Sequence, residues 1–298
     1  MQLRTQIKVK VHAKINLTLD ITGTRGDGYH LIESVMQSVD IHDTLVMEIF
    51  PSAIEQTCVV TNSEQLRNAG DNLAYKAAET FFGNTGICNP GIVIKLRKRI
   101  PIAAGLGGGS ADAAGVIVGL NRLCNAGLSL ARLCEIGAEI GADVPFCLAG
   151  GTMLARGTGT QLEPLPDLPG CVFVLAKAGQ KLSTAHMYEL YDKKGCSARP
   201  KTDEVIRAIE AHDLDAVGGG ICNVFEQLWD SPQIPKIKRI MLDHGALGAG
   251  LSGSGSTVFG MFADQSGASV CADKLRETIS RVYICRPAKQ GCMIEIIE

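Results

Sequence analysis

Apolar and polar positions alternate from residue 7 to residue 21, with Ile7, Val9 and Val11 followed by Ile15, Leu17, Leu19 and Ile21. A period of two marks a strand with one buried face, so this stretch predicts a strand pair or one long bent strand. Residues 31–40 and 44–50 predict two further strands. The period then lengthens. Leu73, Ala77 and Phe81 share one helical face, with Asp71 as cap and Gly83 as stop, which predicts a helix over 71–83. Ile92, Ile94 and Leu96 alternate again and predict a strand over 92–99. The run from Ala113 to Leu120 is apolar on most sides and predicts a buried, central helix reaching about Leu123. Ser129 caps a predicted helix through Ile140, with Leu130, Leu133 and Ile136 on its inner face.

Three prolines within 162–170 predict a connection between two domains, divided near residue 160 into 1–160 and 161–298. Beyond it the pattern predicts a strand at 171–176, helices at 203–211, 213–229 and 234–244, and a strand at 257–262. A helix at 265–280 and strands near 282–285 and 292–297 complete the chain, the last strand returning to the first domain. Helices mixed with antiparallel-type strands make an α+β class.

Composition narrows the picture without choosing a chemistry. The chain has 298 residues, 46% hydrophobic and 20% charged, as expected of a protein with a real core. Its net charge of −2 gives no electrostatic case for nucleic acid or an anionic membrane as partner. No uncharged apolar run approaches the ~20 residues of a membrane helix. The opening residues are polar and run straight into a strand pattern, so no signal peptide is expected. The 11 cysteines are odd in number, scattered and free of any C-x-x-C pair. That predicts buried thiols in a reducing compartment, the cytoplasm, rather than disulfides or a zinc site.

The chemistry concentrates in glycine-rich segments and in one lysine. Between the strand at 92–99 and the central helix lies Pro101-Ile-Ala103-Ala104-Gly105-Leu106-Gly107-Gly108-Gly109-Ser110-Ala111. Glycines let backbone N–H groups crowd around one point, and the helix start behind them favours an anion. The same build also suits a plain turn before a buried helix. A second glycine loop spans 248–256, and a polar turn, 23–30, ends in the rings of Tyr29 and His30. Lys14 stands between apolar neighbours in the first strand, where an unpaired ammonium is costly. Three familiar signatures are absent. Neither glycine loop carries the lysine of G-x-x-x-x-G-K-[ST]. Ser110 stands where G-x-G-x-x-G requires glycine. No H-E-x-x-H or H-x-x-E-H occurs.

Pro101 and the Gly-Leu-Gly-Gly-Gly-Ser-Ala run resemble the phosphate loop of the galactokinase, homoserine kinase, mevalonate kinase and phosphomevalonate kinase (GHMP) superfamily. Ala13-Lys-Ile-Asn-Leu and Leu251-Ser-Gly-Ser-Gly-Ser256 resemble its first and third motifs, in the right order across essentially the whole chain. Gly23-Thr-Arg-Gly-Asp-Gly-Tyr-His30, Met36-Gln37, Asp40-Ile-His-Asp43, Gly107-Gly-Gly-Ser-Ala-Asp-Ala-Ala114 and Gly141-Ala-Asp-Val-Pro145 are similar to one branch of it. The acceptor of that branch is a cytidine-diphosphate-linked methylerythritol. The resemblance implies a two-domain fold, an N-terminal ATP-binding domain and a ferredoxin-like C-terminal domain with the substrate between them. It implies phosphorylation of the 2-hydroxyl by ATP with Mg²⁺, in the non-mevalonate route to isoprenoids. It also implies a monomer or homodimer with a small-molecule substrate.

The implied roles fall on matching residues. Residues 101 and 103–111 would wrap the ATP phosphates, with Ser110 adding a hydroxyl or acting as a plain helix cap. Asp143 would take the acceptor's proton; read alone, Asp143-Val-Pro is a helix cap. Lys14 would sit beside it and orient hydroxyl and phosphate. Asn16, two residues on and so on the same strand face, would contact the acceptor. Tyr29 would stack on the cytosine and His30 hydrogen-bond its edge. The 181–188 segment resembles the family's Val-Ser-Thr-Ala stretch, departing at Lys181-Leu182, and brings Thr184 and Tyr188, the latter as the other face of the clamp. A homoserine or mevalonate type of kinase is the nearest alternative, disfavoured by Tyr29-His30. A silent nucleotide-binding protein is another, disfavoured by Lys14 with Asp143.

Overall fold

The computed structural model describes residues 6–50, 56–66, 72–168, 170–179 and 182–295. The alternating N-terminus forms β1 (Gln6–Asn16) and β2 (Thr18–Thr24), followed by β3 (His30–Ile49) and β4 (Thr57–Thr61). Two strands were expected where β3 runs unbroken for 20 residues. The polar 40–43 segment is a bulge rather than a break. Pairing with β1 shifts register between His12 and Ala13, and β3 continues beyond it.

Helix α1 (Leu73–Thr85) starts two residues later than predicted. Asn72 caps it, its side chain accepting from Ala74 N at 3.0 Å, and Asp71 lies outside the described residues. Gly83 does not stop it; the helix ends at Gly86 with φ +67°. Then follow β5 (Ile92–Arg97), α2 (Gly108–Leu123), α3 (Leu130–Ile140), α4 (Val144–Ala149), β6 (Thr152–Gly157) and β7 (Gln161–Pro164). Ser129 caps α3 as its sequence suggests. The proline-rich stretch is strand at its start, since β7 pairs with β6.

The second half contains β8 (Val172–Lys177), α5 (Thr184–Lys194), α6 (Thr202–Glu210), α7 (Leu214–Gly219) and β9 (Cys222–Asn223). After these come α8 (Gln233–Asp243), β10 (Gly248–Leu251), β11 (Thr257–Phe262), α9 (Gln265–Arg276), β12 (Val282–Cys285) and β13 (Cys292–Glu295). The single helix expected over 213–229 is absent. Gly218, Gly219 and Gly220 end α7, β9 follows, and Asn223 caps a 3-10 turn over Val224–Leu228. Glycine costs about 1 kcal/mol per helical position relative to alanine, so three in a row outweigh the helical spacing of the apolar residues.

Strand β3 is the spine of a nine-stranded sheet. One of its edges takes β1 and β2, and the other takes β6 and β5. The late strands β9 and β13 join this sheet through β2 and β1. The second sheet is antiparallel, in the order β10-β11-β8-β12. Helices α8 and α9 pack on it and on each other. Its strands explain their own sequences. Phe173, Leu175, Phe259 and Met261 join the core of the large sheet. Val172, Val174, Val258 and Phe262 join a second core with Ile237, Met241 and Leu275. Both faces are buried, so β8 reads as a continuous apolar run rather than an alternating one.

Helix α2 lies flat on the large sheet because small residues let it. A Cβ on Gly115 would stand 2.4 Å from Val11 Cγ1 and 3.1 Å from Leu45 Cδ1, both on fully buried side chains. Gly115→Ala therefore overpacks the interface at about 1–3 kcal/mol, offset by about 1 kcal/mol of helix propensity. A lower denaturant midpoint is expected; a raised midpoint would show that α2 lifts off the sheet without cost.

Candidate active site

The strand-to-helix turn is shaped by two glycines. Gly105 has φ +78°, and a Cβ there would stand 2.1 Å from the Ser252 carbonyl oxygen. Gly107 has φ +68°, and its Cβ would stand 2.9 Å from Lys14 Cγ. Side chains at these positions would push the loop off its neighbours. Gly107, not Ser110, is the N-cap of α2, and it supplies no capping side chain. The first helical hydrogen bond from beyond the opening turn is Ala111 N to Gly107 O at 2.8 Å. The N–H groups of residues 108–110 are thus left to the cleft, where the dipole of a 16-residue helix points. Ser110 sits inside the first turn and lines the cleft, so the plain-cap reading is set aside.

Lys14 lies near the end of β1 beside this loop, its backbone N donating to Leu106 O at 3.0 Å. Its side chain is 5% exposed, and its ammonium donates to Asn16 Oδ1 at 2.8 Å and reaches Asp143 Oδ2 at 3.4 Å. The Asn16 amide is fixed from its other side, Nδ2 donating to Ser34 Oγ at 2.8 Å. Asp143 occupies the cap position of α4, yet its carboxylate makes no capping hydrogen bond and turns to Lys14. It is 39% exposed and opens to the cleft.

The third glycine-bearing segment in chain order, residues 248–256, closes against the phosphate loop. Ser252 Oγ donates to Gly105 O at 2.9 Å, and Thr257 N donates to Ala104 O at 3.1 Å. Asn223 holds it from behind, Nδ2 donating to Leu251 O at 2.7 Å and Gly253 O at 2.8 Å. Ser254 and Thr184 hydroxyls meet at 3.0 Å. Together these elements line a cleft of about 1170 Å³.

At the far end of the cleft the structure rearranges the expected clamp. The ring stacked on Tyr188 is His30, with centroids 4.5 Å apart and planes at 20°. His30 Nε2 also meets Asp192 Oδ1 at 2.7 Å. Tyr188 stands edge-on to Phe225, and burial, then the Asp143 carboxylate, push its hydroxyl up to about 12. Tyr29 is 64% exposed, with the Arg25 guanidinium 5.3 Å from its ring centre. All the residues singled out in the sequence except Ala111 line the one cleft, and Ala111 is buried just behind it in α2.

Residues given no role by the sequence matter as well, two of them, Asp43 and Asp112, within the matched segments. Asn223, Asp192 and a buried Asp43–Lys98–Asp112 group each act through partners distant in sequence. Only the presence of a charge or amide inside an apolar pattern could have flagged them.

Residues 72–151 match the family described as GHMP kinases N terminal domain, and residues 205–281 match GHMP kinases C terminal. A homoserine kinase structure from Cytophaga hutchinsonii shares the fold at TM-score 0.80, with 19% identity over 99% of both chains. A 4-diphosphocytidyl-2-C-methyl-D-erythritol kinase from Alkaliphilus metalliredigens is 42% identical over 91% of this chain and 92% of its own. Its namesake from Caldicellulosiruptor saccharolyticus is 41% identical over 93% and 95%. A crystal structure of 4-(cytidine 5'-diphospho)-2C-methyl-D-erythritol kinase superposes at TM-score 0.75, with 29% identity over 94% of this chain and 99% of its own. Fold and loop thus place the chain among the GHMP kinases. Within them, it belongs to the 4-diphosphocytidyl-2-C-methyl-D-erythritol kinase family.

The glycine loops depend on one amide. Asn223→Ala strips a donor from two carbonyls in a buried segment, a loss of about 1–3 kcal/mol. Chemical denaturation should show it as a reduced midpoint; wild-type stability would mean that water satisfies both carbonyls.

Proposed function

We propose that this chain transfers the γ-phosphoryl group of ATP to the 2-hydroxyl of 4-diphosphocytidyl-2-C-methyl-D-erythritol, releasing ADP. The observation that carries the reading is the Lys14–Asp143 pair, opening into the same cleft as the uncapped start of α2. Phosphoryl transfer asks for positioning and charge neutralisation more than for covalent chemistry. The N–H groups of residues 108–110 and the loop before them receive the triphosphate. The acceptor hydroxyl lies against Asp143, which orients it and takes its proton as the new P–O bond forms. Lys14 lies between hydroxyl and phosphate and balances the charge that moves between them. Asn16 holds Lys14 in place more than it contacts the acceptor, because both ends of its amide are engaged.

Mg²⁺ fits as the counterion of the nucleotide. Among the described residues no three His, Cys, Asp or Glu side chains converge on a metal position. Mg²⁺ that accompanies a nucleotide is bound mostly through phosphates and water, with one or two protein oxygens. The Ser110 hydroxyl and the Asp143 carboxylate are hard oxygen donors lining the cleft, and Mg²⁺ held there would neutralise phosphate charge.

The aromatic end of the cleft takes the cytosine. His30 occupies the face of Tyr188 in this structure, so we place the base beside His30 and against Tyr29, whose exposed ring is free to cover it. Homoserine and mevalonate carry no base, and these rings speak against them as acceptors. All eleven cysteines are free thiols, which supports a cytoplasmic setting, but the expectation that they are buried holds only for Cys147, Cys171, Cys271 and Cys285, and Cys58 and Cys88 are exposed. No described helix is long and apolar enough to cross a membrane.

The test is ADP release from the purified protein with ATP, Mg²⁺ and the cytidyl acceptor. Turnover with homoserine or mevalonate but not with the cytidyl alcohol would overturn the reading. Asp143→Ala should lower kcat by about 10²–10⁴-fold while retaining ATP binding; a fully active variant would remove Asp143 from its role. Tyr29→Ala should raise the acceptor KM and leave kcat nearly unchanged, and an unaltered KM would exclude the stacking contact.

A further inference from the structure

Beneath the phosphate loop three ionisable side chains are buried together, and one of them, Lys98, also lines the cleft. Asp43 on β3 is fully buried and Asp112 on α2 is 2% exposed. Lys98, just past β5, is 6% exposed and lies 2.5 Å from a carboxylate oxygen of each. Burial works to lower the Lys98 ammonium, but Asp112 and Asp43 outweigh it and raise it. Burial raises the Asp112 carboxyl well above the usual carboxylate range, with Lys98 opposing. Asp112 Oδ1 has no hydrogen-bond partner. Such a cluster is a poor source of stability, since apolar side chains of similar volume often do as well. It also brings two carboxylates close to where an anionic triphosphate is to bind. A role beyond packing is called for.

The contacts show what the cluster grips. Asp43 Oδ1 accepts from Ile100 N at 2.8 Å and from Arg99 N, which fixes the entry to the glycine loop. Lys98 Nζ donates to Gly108 O at 3.3 Å and to Asp112, which fixes the exit in the first turn of α2. Both ends of the loop are thereby tied to one point on the spine strand. The loop between them has no capping side chain at Gly107; its middle is held by Ser252 and Thr257, and the brace holds its two ends.

We propose that Asp43, Lys98 and Asp112 form a buried brace that positions the phosphate loop for ATP, with Asp112 as a positioning residue that acts through Lys98. The brace sets where the N–H groups of residues 108–110 point before nucleotide arrives. Its two carboxylates neutralise the Lys98 cation, which would otherwise repel the positive end of α2. This rests on the reading of the loop as an ATP site.

Asp112→Asn keeps the side chain's shape and replaces the carboxyl that grips Lys98 with a neutral amide. Three measurements test it: hydrogen exchange of the 105–110 amides without nucleotide, calorimetric ATP titration without acceptor, and the KM of each substrate. We expect loop exchange, ATP dissociation constant and ATP KM each to rise about tenfold, the scale of one charge-assisted hydrogen bond. Exchange in α9 and the acceptor KM should stay within about twofold, a span well under one such bond. Wild-type loop exchange and ATP affinity in the variant would overturn the brace, and so would an equal rise in both KM values. A purely structural role would lower thermal stability and leave the two KM values alone. If Asp112→Asn does not fold, Lys98→Arg, which keeps the cation and alters its reach, is judged by the same outcomes. Failure of the wild-type protein to bind ATP would count against the ATP reading, while loop exchange still judges the brace.

Discussion

An ammonium group cannot stay out of water unpaired, and the cleft is built around that constraint. Lys14 lies in β1 between Ala13 and Ile15, both fully buried, so its charge must be met from elsewhere in the fold. Asn16 meets it from the same strand, Asp143 from the start of α4, and the Gly107 backbone packs on its stem. A Cβ on Gly253, in the third glycine segment, would come within 3.5 Å of its ammonium. Four segments far apart in sequence therefore converge on one side chain. Displacing Asn16 or Asp143 leaves the buried charge under-compensated, which is a larger penalty than the net gain of a typical hydrogen bond. The same requirement that keeps the fold closed at this point holds Asp143 at the cleft mouth.

The second determinant is the contact of backbone with backbone. Gly105 and Ser252 approach more closely than any side chain would allow. Two loops from the two halves of the chain thus share hydrogen bonds, and the position of one is set by the other. Asn223 extends the linkage to β9, which pairs with β2 in the large sheet. The phosphate loop is held from above by the third segment and from below by Asp43 and its partners.

Local signals were legible in the sequence, and tertiary ones were not. Ser129 and the buried face of α3, Leu133, Ile136 and Ile140, belong to one short helix and define it unaided, but Leu130, expected on that face, is 52% exposed in the first turn. Asp71 and Asn72 are both good caps, and choosing between them depends on how α1 docks. Val217, Val224 and Leu228 are spaced as in a helix, yet the intervening glycines and the capping of Asn223 divide the segment. The long span of β3 was hidden because a bulge places polar residues where a strand pattern would end. In the site, the glycine loop and Lys14 stand out among their neighbours, whereas Asp143 read alone is a helix cap and gained its role only from the resemblance. Asp43 and Asp112 stand in segments that resemble the family, but nothing in either segment says that they meet Lys98. Their burial is a consequence of β3, β5 and α2 meeting, and no local pattern encodes it.

The aromatic end of the cleft illustrates the same limit and gives it a mechanical meaning. His30 begins β3 and Tyr188 lies on α5, so their stacking depends on how the two halves of the chain dock. Asp192, one helical turn beyond Tyr188, takes the imidazole's other side and fixes the ring in that stack. The docking itself is apolar, because β8 and β11 present Phe173, Leu175, Phe259 and Met261 to the large-sheet core. A buried face of this kind leaves the halves little freedom to slide, in contrast to the more polar interfaces that permit domain motion. Adjustment to an acceptor is therefore confined to side chains at the rim, Tyr29 foremost, while Lys14, Asp143 and the loop stay where packing has put them. A cleft that is rigid at the phosphate and adaptable at the base is the arrangement phosphoryl transfer requires, since the reacting atoms must be placed closely and the distant ring need only be gripped.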